Sequence, residues 1–269
     1  MKRDTKLYLF ITFAWSWFFW IVAYVISRLQ GSYLATDYTL FSLWTETWGS
    51  NRFLPQLLFS IAVYGPFIGF LATGRFKRLR YNADGSKRFW HYIIAIPVVL
   101  VIPSIVLSLI TSHYDQNILF TSFGTSLFLY FVSNLITSGT EEFGWRGVLY
   151  PDMKARGISF WEIAWKGGLI WAVWHYPAVL MMYIPLGIAV LVPSLVGFTA
   201  SIIAMNYITN FLYENTQNIW FAVILHALNN TMSFLVVMLF PGTPFLLLSS
   251  LMAWVIVGWL EKKYPKTTV

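Results

Sequence analysis

The chain has 269 residues, of which 58% are hydrophobic and only 11% are charged, whereas soluble proteins have about 25% charged residues. This composition excludes an ordinary water-soluble domain and indicates a membrane protein. The net charge of +7 does not indicate nucleic-acid binding, because the basic residues flank apolar segments, as membrane orientation produces. The sequence has no cysteine, which excludes disulfides, thiol catalysis and cysteine-ligated metal sites.

Apolar runs long enough to cross a hydrocarbon core of roughly 30 Å as helices recur along the chain. They predict an all-α, polytopic membrane helix bundle of about eight transmembrane helices, forming a single integral membrane domain over residues 1–269. The predicted spans are 7–27, 55–74, 89–110, 118–140, 165–182, 184–206, 218–240 and 243–260.

Lysine and arginine are unevenly distributed between the two sides that these spans define. With a cytoplasmic N-terminus, only Arg28 and Arg52 of the 18 basic residues lie outside. The positive-inside rule therefore predicts that both termini are cytoplasmic, and we expect the candidate site to face the cytoplasm. The basic loop 75–88 fixes this orientation and could also bind anionic lipid headgroups. The outside segment 28–54 is predicted to form a short amphipathic helix of unknown function.

Two adjacent glutamates, Glu141 and Glu142, stand at the end of the fourth apolar run. Ionisable groups within a span cost at least about 2.5–3.5 kcal/mol, so they usually face the bundle interior and mark function. Arg146 follows Glu142 by one helical turn, which predicts that these two side chains pair and that Glu141 is free for chemistry. The alternative is that both acids form an interfacial patch neutralised by Arg146.

Two histidines, His175 and His226, lie inside separate predicted spans. A single histidine in a helical core is more often structural than catalytic. Two of them, both predicted on the membrane half that also holds Glu141, indicate a functional site. Asn230 follows His226 by one helical turn, so the two side chains share a helical face.

These residue types suffice for amide hydrolysis without a covalent intermediate. A carboxylate in a low-dielectric pocket has a raised pKa, which suits Glu141 to act as a general base near neutral pH. A histidine beside it can orient the attacking water, and His226 and Asn230 can donate hydrogen bonds to the developing oxyanion. The preferred interpretation requires no cofactor. The set Glu141, His175 and His226 would nevertheless suit a zinc ion with one open position, so metal dependence stays open.

At these residues the chain resembles the CaaX-protease and bacteriocin-processing family (CPBP, or Abi) of intramembrane proteases, which includes the type II CaaX prenyl endopeptidases. The family motif EExxxR is present at 141–146 and the motif HxxxN at 226–230. The motif FxxxH is present at 171–175, with Trp171 in place of phenylalanine, which is expected to alter the pocket shape. The motif-bearing catalytic core covers about 130–240.

The resemblance implies that Glu141 and His175 activate water and that His226 and Asn230 form an oxyanion hole. It also implies an endopeptidase that cuts near the C-terminus of a peptide or protein tail, prenylated in some members, at the cytoplasmic side. The supporting groups are Glu142, Arg146 and Trp171.

Two other functions stay open. A non-catalytic family member, acting as a bacteriocin-immunity or scaffold protein, would use the polar residues only to tie helices together. A proton-coupled transporter also places Glu and His inside the membrane. The expected partners are the substrate tail and the lipid bilayer, with no nucleic acid. The substrate, the oligomeric state and the metal dependence are not determined by the sequence.

Overall fold

The computed structural model describes residues 1–36, 38–75, 79, 83–111 and 123–265. These residues form helices and contain no β-strand, which confirms the predicted all-α membrane bundle. The α-helices are α1 (Arg3–Leu29), α2 (Leu40–Thr47), α3 (Phe53–Ala62), α4 (Gly65–Ala72), α5 (Ala83–Ile110), α6 (Phe123–Ile136), α7 (Glu141–Gly144), α8 (Tyr150–Ala155), α9 (Phe160–Tyr183), α10 (Ile188–Thr216), α11 (Ile219–Leu239) and α12 (Leu248–Lys263).

Within the described ranges, six helices are long and apolar enough to cross a membrane, namely α1, α5, α9, α10, α11 and α12. The pair α3 and α4 would form a seventh span that is bent by 49°. The predicted span 118–140 corresponds to α6, which has 14 residues, while 118–122 lie outside the described residues. The count of eight therefore stays a prediction.

The second predicted span, 55–74, is one segment with a break between Ala62 and Gly65. Pro66 lies in the first turn of α4, where its missing N–H is tolerated but where it prevents α3 from continuing. Gly65 and Gly69 face α1: a Cβ atom at Gly69 would lie 2.8 Å from the backbone oxygen of Tyr8. These glycines allow α4 to pack directly against α1.

The two ends of α1 define the two ends of the bundle, because 27 residues of helix extend about 40 Å. At one end, the backbone N–H of Lys2 donates to Asp152 of α8 at 3.3 Å. We call this the Lys2 end, and the opposite end the Arg28 end. Helix α9 starts just after α8 and therefore runs from the Lys2 end towards the Arg28 end.

The predicted short helix in segment 28–54 is present as α2. Thr39 and Ser42 form a capping box at its start, and the N–H of Leu40 donates to Ser133 Oγ of α6 at 3.0 Å. Its position at the membrane interface stays a prediction. Most of the basic loop 75–88 lies outside the described residues or has no described side chains, so its lipid binding also stays a prediction.

Helix α1 packs against α9 through tryptophan. The indole N–H of Trp17 donates to the carbonyl oxygen of Trp174 at 3.0 Å, and the rings of Trp20 and Trp174 lie 4.9 Å apart. Trp174 is completely buried, next to His175. The first helix of the chain therefore forms part of the wall around a candidate site residue.

Candidate active site

Glu141 and Glu142 begin α7, a single turn between the 3₁₀ turn Ser138–Thr140 and the π-helical turn Trp145–Leu149. Short π-helical segments occur frequently at functional sites, because the wider turn redirects side chains. Gly144 lets this segment approach α4 closely, since an added Cβ would lie 2.6 Å from the carbonyl oxygen of Pro66. The glutamates are thus presented from an irregular helix that is packed into the bundle.

The predicted pairing of Glu142 with Arg146 is confirmed. Arg146 Nη1 lies 2.9 Å from Glu142 Oε2, and both side chains are 0% exposed. The other oxygen, Glu142 Oε1, lies 2.8 Å from His226 Nδ1 on α11. Glu142 therefore contacts both Arg146 and His226. Because the Glu142–Arg146 pair is buried, the alternative of an interfacial patch does not describe it.

Asn206 of α10 completes this buried network, although it is not among the site residues predicted from the sequence. Its Oδ1 accepts from Arg146 Nη2 at 2.9 Å, and its Nδ2 donates to the backbone oxygens of Ile163 and Ala164 on α9. Asn206 thereby ties Arg146 to two helices. In the sequence, Asn206 could be recognised only as a polar amide inside a long apolar run.

Glu141 faces a different set of neighbours, as its position beside Glu142 predicts. It is 3% exposed, and its Oε2 accepts hydrogen bonds from Trp145 Nε1 at 3.3 Å and Trp171 Nε1 at 3.0 Å. Glu141 lies outside the candidate membrane spans, and burial raises its pKa to about 7. The expected raised pKa of the candidate base is therefore confirmed.

Trp171 has a role that a phenylalanine at the same position cannot have. Its indole N–H holds the candidate base, and its ring lies 6.0 Å from the ring of His175 and 5.4 Å from that of His226. The departure from the family motif thus places a hydrogen-bond donor at the centre of the site. The sequence predicted only an effect on pocket shape.

The orientation of His175 follows from its backbone partner. Its Nδ1 lies 2.9 Å from the carbonyl oxygen of Trp171, which can only accept a hydrogen bond, so Nδ1 carries the proton. In the neutral ring, Nε2 is then an acceptor that can bind a water proton. The rings of Trp174 and Phe198 lie 4.5 Å and 5.3 Å away and restrict the imidazole.

Asn230 is held by a second asparagine, Asn134, which is also not among the site residues predicted from the sequence. Asn230 Nδ2 donates to Asn134 Oδ1 on α6 at 3.0 Å, and Ser138 Oγ donates to the same oxygen at 3.1 Å. One hydrogen of the Asn230 amide is thus occupied, and the second has no partner among the residues that the structure describes. Asn134 fixes the direction of that second N–H.

No group of three or more His, Asp or Glu side chains in the described part of the chain could hold a metal ion. The zinc set considered above, Glu141, His175 and His226, is not such a group in this structure. Trp171 contacts all three residues and His226 Nδ1 pairs with Glu142, and a metal requirement stays a prediction.

If Asn230 is an oxyanion donor, as the resemblance implies, its contact with Asn134 predicts that Asn134→Leu lowers kcat for cleavage about 10-fold or more with little change in KM, because Asn230 loses its orientation. Asn134→Asp keeps an acceptor oxygen and should recover part of the rate. Steady-state kinetics on both variants check this. A drop in thermal stability with an unchanged kcat would show that Asn134 is only structural.

Residues 122–232 match the model of the family described as Rce1-like, type II CAAX prenyl endopeptidase. The matched segment contains all three motifs identified in the sequence, and it overlaps most of the predicted core 130–240. No curated protein matches the chain. The family is a protease family, and its match agrees with a helical membrane protein. Residues 122–232 of this chain are therefore similar to the Rce1-like type II CAAX prenyl endopeptidase family.

Proposed function

We propose that this protein is an intramembrane endopeptidase that hydrolyses a peptide bond near the C-terminus of a peptide or protein tail. The observation that carries the proposal is the buried Glu141 carboxylate, held by two indole N–H groups beside Trp171, against which both histidine rings also pack. We also propose that both termini are cytoplasmic, on the distribution of the basic residues.

In this mechanism, Glu141 and Nε2 of His175 hold a water molecule, and Glu141 takes a proton as the water attacks the scissile carbonyl carbon. The carbonyl oxygen becomes an oxyanion, which accepts hydrogen bonds from Asn230 Nδ2 and from His226. When the tetrahedral intermediate breaks, the proton on Glu141 passes to the leaving amine. No covalent enzyme intermediate forms.

The contact of His226 with Glu142 sets a condition on this mechanism. His226 Nδ1 donates to Glu142, so Nε2 carries a proton for the oxyanion only when the ring holds both protons. The positive ring then faces a negative oxyanion. Glu142 also limits rotation of the imidazole, and the Glu142–Arg146 pair is therefore a positioning pair for His226.

The direct test uses purified protein in detergent with a prenylated CaaX peptide and an unprenylated peptide of the same sequence, with and without a chelator. We expect a new C-terminus on at least one peptide, identified by mass spectrometry, and the same rate after chelation. Loss of activity on chelation that zinc restores would contradict the metal-free mechanism. Ion flux into liposomes without cleavage would instead support a transporter.

Trp171→Phe, which restores the usual family residue, should shift the pH dependence of cleavage. The indole hydrogen bond favours the charged form of Glu141, so its removal raises the pKa of Glu141 further above the usual range. A general base works only when deprotonated, so the rate of the parent should fall as the pH drops through about 7. In the variant, the rate should start to fall at a higher pH.

The matched control is Trp165→Phe, because Trp165 lies on the same helix but is half exposed. This variant should keep the parent pH profile. If Trp171→Phe lowers the rate equally at all pH values, the indole shapes the pocket and does not tune the base.

A further inference from the structure

A groove of about 280 Å³ runs between α5 and α12 on the outer surface of the bundle. Its walls consist of apolar side chains at helical spacing, among them Ala95 and Val99 on α5 and Val255 on α12. Val255 is 61% exposed, so the described part of the bundle leaves this wall largely uncovered. None of the candidate site residues lines this surface, which we call the α5–α12 groove.

The direction of the groove follows from the contacts between its two helices. They run antiparallel, since Tyr92 contacts Trp259 while Ser104 Oγ lies 3.3 Å from Ser249 Oγ. Tyr92 and Trp259 form one end of the groove, which we call its aromatic end. The hydroxyl of Tyr92 lies 3.0 Å from that of Tyr264, whose ring packs against the part of α10 next to its contact with α8. The aromatic end therefore lies at the Lys2 end of the bundle.

Lys263, in the last turn of α12, is held at the aromatic end. Its Nζ donates to the hydroxyl oxygen of Tyr92 at 3.0 Å and lies 4.6 Å from the centre of the Trp259 ring. An ammonium group has three N–H donors, and the neighbours Tyr92 and Tyr264 use at most two of them. The aromatic rings attract the ammonium group without neutralising its charge.

Arg88 brings a second positive charge to the same end. Its side chain is exposed, and its Cζ lies 5.8 Å from the centre of the Tyr264 ring. Among the side chains that the structure describes, neither Arg88 nor Lys263 forms an ion pair. Glu261, which is close to Lys263 in sequence, bonds to Tyr207 of α10. The aromatic end thus carries positive charge that no described carboxylate neutralises.

We propose that the α5–α12 groove binds one phospholipid with an anionic headgroup from the surrounding bilayer. An acyl chain lies against Val99 and Val255, and Lys263 and Arg88 bind the lipid phosphate. Tyrosine and tryptophan side chains are typical of the depth at which headgroups meet acyl chains. Basic pockets between membrane helices bind anionic headgroups through the same combination of groups. The inference is independent of the proposed peptidase function.

The preference for an anionic lipid follows from charge. The apolar walls alone would accept an acyl chain of any phospholipid. A zwitterionic headgroup carries a cation beside its phosphate, and the two positive side chains repel that cation. Each basic residue near the headgroup is expected to contribute about 5-fold to the preference, so both together should give about 10-fold or more.

Native mass spectrometry of the delipidated protein in detergent tests the preference, with equal concentrations of phosphatidylglycerol and phosphatidylcholine that have the same acyl chains. The first lipid bound should be phosphatidylglycerol by about 10-fold or more. Lys263→Gln and Arg88→Gln should each reduce this preference about 5-fold. The matched control is Lys6→Gln, because Lys6 is an exposed cation near the start of α1, which is not part of the groove. This variant should keep the parent preference.

Ala95→Phe tests the groove itself, since the added ring fills the space between α5 and α12. This variant should lower the fraction of protein with one phosphatidylglycerol bound. The matched control is Ile94→Phe, which adds a ring at an exposed position of the same helix outside the groove, and it should bind like the parent. Thermal unfolding without lipid shows whether each variant is folded.

Equal binding of the two lipids by the parent would overturn the proposal, because the groove would then hold an unselected bilayer lipid. A preference that persists in folded Lys263→Gln and Arg88→Gln proteins would place the anionic lipid elsewhere on the surface. Unchanged phosphatidylglycerol binding by folded Ala95→Phe would exclude the groove. The two charge variants are independent, so either one decides the role of the aromatic end if the other does not fold.

Discussion

Replacing Glu141 by glutamine is expected to reduce peptide cleavage by about 10²–10⁴-fold, which is the usual contribution of a general base. Glutamine has nearly the same shape and keeps an oxygen that can accept from Trp145 and Trp171, so the packing of the site is preserved. It cannot take a proton from water. Cleavage is measured by mass spectrometry, and the fold by thermal unfolding in detergent.

The matched control is Glu162→Gln, since Glu162 lies on α9 with 53% of its side chain exposed, paired with Lys166. This variant should retain the parent rate. If Glu141→Gln keeps the parent cleavage rate, Glu141 is not the base. If it loses cleavage but keeps the biological effect of the protein, a scaffold or immunity function is favoured instead.

Replacing Arg146 by methionine is expected to lower the free energy of unfolding by about 3–5 kcal/mol, as is typical when one partner of a buried ion pair is removed. The physical cause is the carboxylate of Glu142, which would remain at 0% exposure without its guanidinium partner. Asn206 Oδ1 would lose its donor at the same time. Unfolding by SDS titration, followed by tryptophan fluorescence, measures the effect.

The double variant Glu142→Gln with Arg146→Met removes both charges and should be less destabilised than Arg146→Met alone. A second ion pair at the same spacing, Glu162–Lys166, is exposed, so Lys166→Met should cost no more than about 0.5 kcal/mol. An Arg146→Met protein as stable as the Lys166→Met protein would contradict a structural role for the buried pair.

Local spacing predicted part of the site correctly. Glu142 and Arg146 pair because one helical turn separates them, and Glu141 has other neighbours because adjacent helical residues point apart. The fold class and most of the long spans followed from hydropathy alone, because a membrane helix must bury its backbone polar groups in its own hydrogen bonds. These features depend on residues that are close in sequence.

Contacts between distant segments could not be predicted from spacing. Asn206 meets Arg146, Asn134 meets Asn230, and Trp171 meets Glu141 because α6, α9 and α10 pack around α7. The hydrophobic periodicity of a single sequence does not specify which faces of two such helices pack against each other. Polar amides inside apolar runs were the available signal, and they identify candidates without identifying their partners.

The contact of α1 with α9 also has a consequence for the order in which the site is assembled. Trp17 and Trp20 are synthesised about 150 residues before their partner Trp174, and His226 follows later still. Helix α1 is therefore made long before the helix that covers its site-facing surface. A nascent chain that ends before α11 has Glu141 and His175 but no His226 or Asn230, so the proposed site can form only after α11 has been synthesised.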